Sequence, residues 1–417
     1  MSKSKKACGV DVHRDLLVAT VLTEDKSKET KRFVNDEEGI DTFKGWLKAS
    51  ECNQAVMEST SVYWVPLYLS LEESKFEVSL ANAHQVKAIP GRKTDQSSSE
   101  WLAHLLLGGQ IKPSYVPERR VRELRELTRM RAKFVQTRTA FKNRCHKVLN
   151  RVNIRLGSRL KDVFGKAGKE ILEGLMVGKT VEAVLEQTQN TWLKNRSDEI
   201  KAVARGALSE EDIFVLKELT DTVNHLNERI HDIEARMGSF VSVQDEVVAN
   251  ERDVEIVASV PGVGSKSAIA IVAEIGDVGH FATADDLASW AGLVPSVYQS
   301  AGKFVTGHIT KAGSRWLRRA MVLVARSAVI VRGSRLRLFF LRVKARRGKN
   351  TAYVAVARKM LTIIWHLLVK GENYVEDSFE KTVGLKKVAY GGYVSLEEMA
   401  RVLRGVGYVV LKGPDDG

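Results

Sequence analysis

Over the first ~110 residues, short apolar β-type runs alternate with stretches whose apolar residues recur at helical spacing. Strands that alternate with helices predict an α/β sheet. The first two runs are separated by a tight turn near Arg14–Asp15 and predict a hairpin. The predicted elements are strands Ala7–His13 and Leu16–Leu22, helix Glu37–Ala49, strand Gln54–Met57, helix Val62–Ser70, strand Phe76–Leu80 and helix Ser97–Leu107.

The middle of the chain is predicted to be helical. A long basic helix is expected from Glu118 to about Val152, with Leu124, Leu127 and Phe134 at helical spacing. Residues 160–210 also favour helix but carry no specific motif.

A near-heptad seam follows, in which apolar residues recur three or four positions apart. Its members are Ile213, Leu216, Leu219, Val223, Leu226, Ile230, Ile233 and Met237. Such a seam packs within one chain or joins two chains. We favour the second interpretation, an oligomer contact.

The segment VASVPGVGSKSAIAIVAEIGD, residues 257–277, predicts an apolar element, a glycine-rich turn and a helix. Gly262 and Gly264 let the backbone approach a ligand, and the N-terminus of the following helix offers N–H groups to a phosphate. The segment resembles a helix-hairpin-helix, which grips the DNA backbone without reading bases. A plain corner between two core helices is the alternative.

The charge distribution points to a polyanionic partner. The net charge is +14, and residues 287–371 contain no Asp or Glu but 17 Lys and Arg. A second block, residues 112–159, has 15 Lys and Arg against 3 Glu. Cations bind nucleic acid by displacing counterions condensed on phosphates. A basic surface without a ligand is the alternative.

Composition sets the class of protein. A chain of 417 residues, 44% of them hydrophobic, has room for two or three domains with a large core. Three scattered cysteines without a CxxC pair favour a reducing compartment and argue against a zinc site or disulfides. No apolar run reaches ~20 residues and the start MSKSKKACGVDV lacks a signal-peptide core. We expect a cytoplasmic protein with no membrane partner.

Three acids stand where strand-like runs give way to a loop or helix: Asp11, Glu58 and Asp95. A carboxylate in an apolar strand is costly to bury unless it is paired or bound to metal. Oxygen ligands suit Mg²⁺ or Mn²⁺, and two such ions can clamp the attacking and leaving oxygens of a phosphodiester. Taken singly, each acid is more readily an ordinary structural or surface charge than a metal ligand.

Ser300 lies between a proline-marked turn and the small residues Ala301 and Gly302, with Lys303 and His308 close in sequence. Small neighbours leave a hydroxyl accessible, and cations favour the approach of a phosphate. A serine nucleophile needs a base or a metal to activate it, and the segment shows no base at a fixed spacing. A hydrogen-bonding turn residue is the alternative.

Several ordered motifs carry a family resemblance that covers roughly residues 5–370. The N-terminal motifs GVDVHRD, ESTSVYW, KTD with SEWLAHLL, and SYVPERRVRELRELTRMR resemble the RuvC-like (RNase H fold) domain of IS110-family transposases. The later motifs VPGVGSKSAIAIVAEIGD, LASWAGLVPSVYQSAGK, KAGSRWLRRA and ARKMLTIIWHLL resemble that family's C-terminal transposase domain.

The resemblance implies a serine-dependent recombinase. In this family a metal-binding acidic site of the first domain meets a serine of the second, which attacks DNA and leaves a 5′-phosphoserine and a free 3′-hydroxyl. Donor and target are chosen by pairing to a structured RNA, and the protein works as a multimer. By this match Asp11, Glu58 and Asp95 are metal-site acids and Ser300 is the nucleophile.

One position departs from the family pattern. The motif KTD-x-x-D has Ser98 in place of its second Asp, which removes one of four carboxylates. Glu100, or a water held by Ser98, is the expected substitute; without one, metal affinity and cleavage fall.

The resulting prediction is an α/β plus α protein with an RNase H-like N-terminal domain, a helical and coiled-coil middle and a mainly helical C-terminal domain. The expected segments are 1–158 for the metal-binding domain, 159–250 for the linker region, 251–371 for the transposase domain and 372–417 for a tail without assigned chemistry.

The predicted function is RNA-guided DNA recombination. Phosphates are expected to contact Gly262, Gly264, Lys303, Arg315, Arg318 and Arg319, and the basic helix after residue 118 is the candidate for RNA. Expected partners are donor and target double-stranded DNA, a structured guide RNA and further copies of the chain, as a dimer or tetramer, in a nucleoid-associated bacterial or archaeal setting. A junction-type metal nuclease and a non-catalytic transposase relic are the rivals.

Overall fold

A computed structural model of the chain describes residues 5–59, 62–90, 97–241, 251–300, 303–311 and 313–376. The chain divides into two compact units, Met1–Pro117 and Glu118–Gly417. Asp95 and nearly all of the C-terminal tail lie outside the described residues. The two units are described separately.

The first unit is built on a five-stranded mixed sheet. Its elements are β1 Lys6–Val12, β2 Leu16–Thr23, β3 Lys28–Val34, α1 Glu37–Ala49, β4 Gln54–Glu58, α2 Trp64–Glu73, β5 Glu77–Ala81, α3 Ala83–Ala88 and α4 Ser98–Leu107. The strand order is β3-β2-β1-β4-β5, with β1, β2 and β3 antiparallel and β1, β4 and β5 parallel. This is the predicted RNase H-like arrangement, and the fold class is confirmed.

Side chains of the central strands point alternately to the two faces of the sheet, and each face is covered by an apolar core. Val10 and Met57 pack on one face into a core with Phe43 of α1 and Leu67 of α2. Val56 packs on the other face with Leu102 of α4. Since side chains alternate along a strand, residues in step with Val56 point to the α4 side.

Helix α4 lies very close to β1. A Cβ at Gly9 would stand 2.0 Å from the Ser99 carbonyl oxygen and 2.4 Å from the Ala103 nitrogen. The buried Ser99 hydroxyl is hydrogen-bonded to that of Thr20 at 2.8 Å. Glycine at this strand position therefore brings the first turn of α4 directly onto the sheet.

Strand β3 was missed by the sequence analysis. Its sequence, KETKRFV, is polar and only Phe33 is buried, because β3 forms an edge of the sheet with most of its side chains in solvent. A strand with one buried residue shows no hydrophobic alternation to detect.

The second unit is mostly helical, as predicted. Its elements are α5 Arg119–Arg151, α6 Lys166–Met176, α7 Val181–Gln187, α8 Thr191–Asn195, α9 Ser197–Val203, α10 Glu210–Val241, α11 Glu251–Ala258, α12 Ser265–Ile275, α13 Ala284–Trp290, β6 Pro295–Ser300, β7 Lys303–Ile309, α14 Arg315–Ala328, α15 Arg335–Arg347 and α16 Lys349–Lys370, with short 3₁₀ turns at Leu156–Ser158 and Val278–His280.

The two longest helices, α5 and α10, form an antiparallel pair about 50 Å long. Arg131 bonds Glu234 at 2.7 Å near one end, and Arg151 bonds Asp212 at the other. The Arg151 hydrogen bond lowers the pKa of Asp212. Burial raises the pKa of Glu234, but its bonds to Lys266 and Arg131 outweigh burial and lower it. Each ion pair therefore stabilises the folded helices at pH values above the ordinary carboxyl pKa. This stabilisation is lost as the pH falls through the lowered pKa of Asp212 or Glu234.

The near-heptad seam faces its own chain. Leu216, Val223, Leu226, Ile230 and Met237 of α10 are buried in the single chain, beside α5 and its neighbours. The favoured interpretation of this seam, an oligomer contact, is therefore wrong for these buried positions. An intrachain helix partner satisfies the same spacing, which is why the pattern alone did not separate the two.

The helices from α11 onward enclose one apolar core. Helix α16 is the one helix of the described residues long and apolar enough to cross a membrane by length and composition. Its residues Val356, Met360 and Ile364 lie in that core with Leu317 and Met321 of α14. Six residues of α16 are buried, and this packing accounts for part of its apolar character.

The domain boundary expected at residue 158 stays a prediction, and the grouping by contacts places α5 with the second unit. Helix α5 packs along α10 and against α12, so it belongs with the second unit by its contacts. Its sequence follows the α/β region directly, and sequence order gave no indication of this packing.

Candidate functional site

Asp11 and Glu58 occupy neighbouring strand ends. Parallel pairing between β1 and β4 puts Val10 opposite Met57, so the next step places Asp11 beside Glu58. Neighbouring strands are about 4.8 Å apart. Both acids are in step with Gly9 and Val56 and so lie on the α4 side of the sheet. Two carboxylates distant in sequence thus share one edge of the sheet.

His13 stands next to the first of these acids. Its Nε2 is 3.5 Å from Oδ2 of Asp11, and both side chains are partly exposed. Asn35 donates from its Nδ2 to the carbonyls of His13 at 2.8 Å and Tyr63 at 3.4 Å. His13 is not among the site residues predicted from sequence, although its position two residues after Asp11 in GVDVHRD was a usable signal.

Ser98 is the first residue of α4. The preceding Ser97 caps the helix by accepting a hydrogen bond from the Glu100 N–H at 3.2 Å. Asp95 lies outside the described residues, so its predicted role stays a prediction.

Glu100, the expected substitute for the missing acid, is engaged elsewhere. Its carboxylate pairs with Lys28 at 2.9 Å. Lys28 is opposite Leu22, and Leu22 is opposite Ala7, four residues from Asp11. That separation is about 13 Å along the strand. The ion pair with Lys28 therefore holds the Glu100 carboxylate toward the end of the sheet opposite to Asp11.

Asp11 and Glu58, at the neighbouring ends of β1 and β4, suit a hard divalent cation. Asp11 and Glu58 supply carboxylate oxygens, the ligands that Mg²⁺ and Mn²⁺ prefer. Within the described ranges no three His, Cys, Asp or Glu side chains gather in a metal-binding group. The third predicted ligand, Asp95, is outside those ranges.

Ser300 is the last residue of a β-hairpin strand rather than a loop residue. It pairs with Lys303, the first residue of β7. At about 3.4 Å per residue, the five steps of β6 carry Ser300 about 17 Å from the base of the hairpin. Strands were not expected here, because residues 295–309 mix small, polar and aromatic residues without clear alternation.

The base of this hairpin is pinned to helices. A Cβ at Gly313, whose φ is +68°, would stand 1.7 Å from the Trp290 carbonyl oxygen. The Ser314 N–H donates to that same carbonyl at 3.0 Å. Arg318 donates to the Ala291 carbonyl at 3.0 Å. The end of α13 and the start of α14 are therefore fixed to each other, with the hairpin between them.

The predicted phosphate-binding residues of α14 differ in their surroundings. Arg318 is partly buried against Ala291, and burial lowers the pKa of its guanidinium. Arg315 lies 5.3 Å from the ring centre of Trp316, and Arg319 lines an open recess. Arg318 thus contributes to packing, whereas Arg315 is exposed and Arg319 is half-buried at the recess.

The turn that contains Gly262 and Gly264 joins α11 to α12, as the helix-hairpin-helix resemblance implies. Gly262 has φ +83°, and a Cβ there would stand 2.3 Å from the Ala328 nitrogen and 2.5 Å from its Cα. Gly264 precedes α12, and a Cβ there meets no atom of the described residues within 4 Å. Gly262 packs against α14, whereas Gly264 has open space.

These surroundings give a paired prediction. We expect Gly262→Ala to lower the free energy of unfolding by about 3 kcal/mol, since it combines a left-handed backbone with a clash against backbone atoms. Gly264→Ala should change it by no more than about 1 kcal/mol. Denaturant unfolding of both variants measures the difference, and equal losses would contradict the packing role of Gly262.

Much of the basic character of α5 serves the fold. The buried Arg125 donates to the carbonyls of Ala273 at 2.7 Å and Glu274 at 2.6 Å. Arg129 pairs with the buried Glu274 through two bonds of 2.7 and 3.1 Å. Ser314 donates to the same carboxylate at 2.8 Å. Charge counting did not reveal these internal partners, which leave fewer α5 cations for a nucleic acid.

Comparison with known proteins finds the same two regions. A family model of a DEDD-type transposase domain of the IS110 group, described as a transposase, matches residues 8–154. A second model, described as the transposase IS116/IS110/IS902 family, matches residues 254–340.

Individual relatives are similar over part of the chain. The transposase for insertion sequence element IS1111A from Coxiella burnetii is 30% identical over 40% of this chain and 47% of its own length. An uncharacterized 43.6 kDa protein of insertion element IS110 from Streptomyces coelicolor is 33% identical over 28% of this chain and 29% of its own. A pilin gene-inverting protein from Moraxella bovis is 28% identical over 42% and 55%.

The matched part of the chain thus spans about half or less of the length of these relatives. The two family models nevertheless follow one another along the chain: the first covers the N-terminal acids and the second covers the region of Ser300. The sheet also has the RNase H-like strand order. The chain belongs to the IS110 family of transposases.

Proposed function

We propose that this protein is an RNA-guided DNA recombinase that cuts and rejoins DNA strands through a 5′-phosphoserine intermediate. The observation that carries the proposal is the pairing of β1 with β4, which sets Asp11 beside Glu58 in a chain of this family. The proposal that these acids and Ser300 form one catalytic site is based on the family resemblance.

The proposed chemistry belongs to Ser300. Its Oγ attacks a DNA phosphorus, forming an O–P bond as the bond from phosphorus to the 3′-oxygen breaks. The serine proton is lost, and the departing oxygen takes up a proton to become a free 3′-hydroxyl. In the reverse sense, a 3′-hydroxyl of another strand attacks the phosphoserine and releases Ser300. No external energy source is needed, because a phosphodiester is exchanged for a phosphodiester.

Asp11, Glu58 and Asp95 are the residues proposed to hold Mg²⁺ or Mn²⁺. A bound divalent ion supplies charge stabilisation at the phosphate oxygens. Asp11 and Glu58 contribute by standing at one sheet edge with their oxygens on the same face.

Exposed cations support binding to donor and target DNA and to a structured RNA. Arg342, Lys344, Arg346, Arg347 and Lys349 are all exposed around the junction of α15 and α16. Phosphate backbones are held by such clusters with strong dependence on salt. We propose that the protein acts as a dimer or tetramer in the cytoplasm of its bacterial or archaeal host, close to the nucleoid.

A substitution at position 98 tests the missing carboxylate. We expect Ser98→Asp to raise Mn²⁺ affinity about ten-fold, because it adds a charged oxygen ligand near the acid edge. The first position of a helix favours an acid, so the change is compatible with α4. Ser97→Asp is the control, as it adds the same charge one residue away. Calorimetric Mn²⁺ titration measures both, and equal effects would contradict a ligand role for position 98.

A strand-transfer assay with matched RNA, donor and target DNA tests the function. A recombinase gives protein–DNA adducts that survive denaturant and vanish in Ser300→Ala. Cleavage that survives Ser300→Ala would instead indicate a metal-dependent nuclease in which water attacks. Binding without cleavage at every Mg²⁺ and Mn²⁺ concentration would indicate a relic, and activity regained in Ser98→Asp would identify the cause.

A further inference from the structure

An open recess in the second unit lies among α5, α10, α12 and α14. Its empty volume is about 560 Å³, including its solvent-open mouth, and its wall includes Trp316 and Leu323 of α14. Leu323 is 51% exposed and Trp316 is partly exposed. The recess therefore leaves part of an indole and an apolar side chain open to solvent.

Cations surround the indole of Trp316. Arg315 lies 5.3 Å from its ring centre, and Arg129 and Lys133 each lie 6.0 Å from it. The last two distances are at the outer limit of a cation–π contact. All three cations lie over the ring, so a flat ligand that stacks on the indole displaces at least one of them.

The charges of the recess are only partly balanced. Glu274 is paired with Arg129, and Glu234 is shared by Arg131 and Lys266. Lys133, Arg315 and Arg319 have no carboxylate of the described residues within ion-pair distance. The recess therefore has a positive excess beside its aromatic ring.

A partly exposed aromatic ring among unbalanced cations is suited to one part of a nucleic acid. A base that has left its helix offers a flat face to the indole, while its phosphates meet the cations. A base inside a continuous duplex has both faces covered by its neighbours. The combination favours an unpaired nucleotide over a regular duplex.

We propose that Trp316 stacks on an unpaired base and that Lys133, Arg315 and Arg319 hold the flanking phosphates. The site distinguishes bulged, looped or melted nucleic acid from paired duplex. The proposal rests on the proposed function only for the identity of the polyanion, and it requires no cleavage.

The test uses the full-length protein and fluorescent duplexes of one sequence, either fully paired or with a three-nucleotide bulge, made in both DNA and RNA. We expect Trp316→Ala to weaken binding to the bulged form roughly 5- to 150-fold in at least one nucleic acid, since one stacked base contributes about 1–3 kcal/mol. Binding to the paired form should change less than about two-fold. A loss confined to DNA or to RNA identifies the nucleic acid that uses the site.

Three variants serve as controls. Trp316→Phe keeps a stacking surface and should retain most of the preference for the bulge. Trp316→Leu keeps apolar bulk without a π-face and should lose the preference, which guards against a folding defect in Trp316→Ala. Trp192→Ala removes another exposed tryptophan, 5.0 Å from Arg196, and should have no effect.

A second readout is the fluorescence of 2-aminopurine placed in the bulge. The wild-type protein should quench it by stacking, and Trp316→Leu should not. Equal losses on paired and bulged forms, no loss on either nucleic acid, or an equal effect of Trp192→Ala would overturn the proposal. Ser300→Ala should keep the preference for the bulge, so failure of the recombinase proposal is separable from failure of this one.

Discussion

Replacement of Ser300 by alanine is expected to abolish the covalent protein–DNA adduct and to lower strand transfer by roughly 10⁴-fold or more. The magnitude follows from removing the atom that forms the intermediate, as in other serine enzymes. A denaturing gel with labelled donor DNA measures the adduct, and product sequencing measures transfer. Binding to the same DNA should change less than about two-fold, because the hydroxyl is a small part of the interface.

Ser296 offers a matched control on the same strand. Its Oγ donates to the His308 carbonyl at 3.0 Å, so its visible role is to hold the hairpin together. Ser296→Ala should lower stability by about 1 kcal/mol and keep the adduct. An adduct that persists in Ser300→Ala would assign the nucleophile to another residue.

Asp11→Asn is expected to lower cleavage by roughly 10²–10³-fold or more, because it removes a negative charge from the proposed metal site while keeping the size of the side chain. Glu58→Gln should behave in the same way, since the pairing of β1 with β4 places Glu58 beside Asp11. Calorimetric titration with Mn²⁺ gives a readout apart from activity. Each variant should bind the ion at least about ten-fold more weakly.

Asp15→Asn is the control for charge. Asp15 lies in the turn between β1 and β2, four residues after Asp11, and its 85% exposed side chain contacts Arg14. Its loss lowers the local negative charge equally but should leave Mn²⁺ affinity unchanged. Equal effects of Asp11→Asn and Asp15→Asn would show that general charge, and not a ligand, sets the affinity.

Local pattern was sufficient for most of the first unit. The strands around Asp11 and Glu58 and the helix Glu37–Ala49 follow from apolar runs and helical spacing, and the structure confirms them. Strand β3 was missed because an edge strand buries one residue. The hairpin of Ser300 was missed because its sequence lacks alternation.

Charge was a less direct guide than hydrophobic pattern. The basic block of α5 suggested a nucleic-acid surface, but Arg125 and Arg129 are anchored to α12 inside the unit. A count of cations does not include their partners, and those partners lie about 150 residues away. The near-heptad seam was ambiguous for the same reason, since its spacing fits a helix of either the same chain or another.

The amino-acid pattern alone was enough to indicate the class of fold and the basic C-terminal region, because each depends on neighbouring residues. The roles of the acids and of Ser300 rest on the family resemblance and stay predictions. The folded chain was needed to put Asp11 beside Glu58, to tie Glu100 to Lys28 and to gather cations around Trp316. Strand register and ion-pair choice depend on contacts between distant segments, and these contacts exist only after the chain has folded.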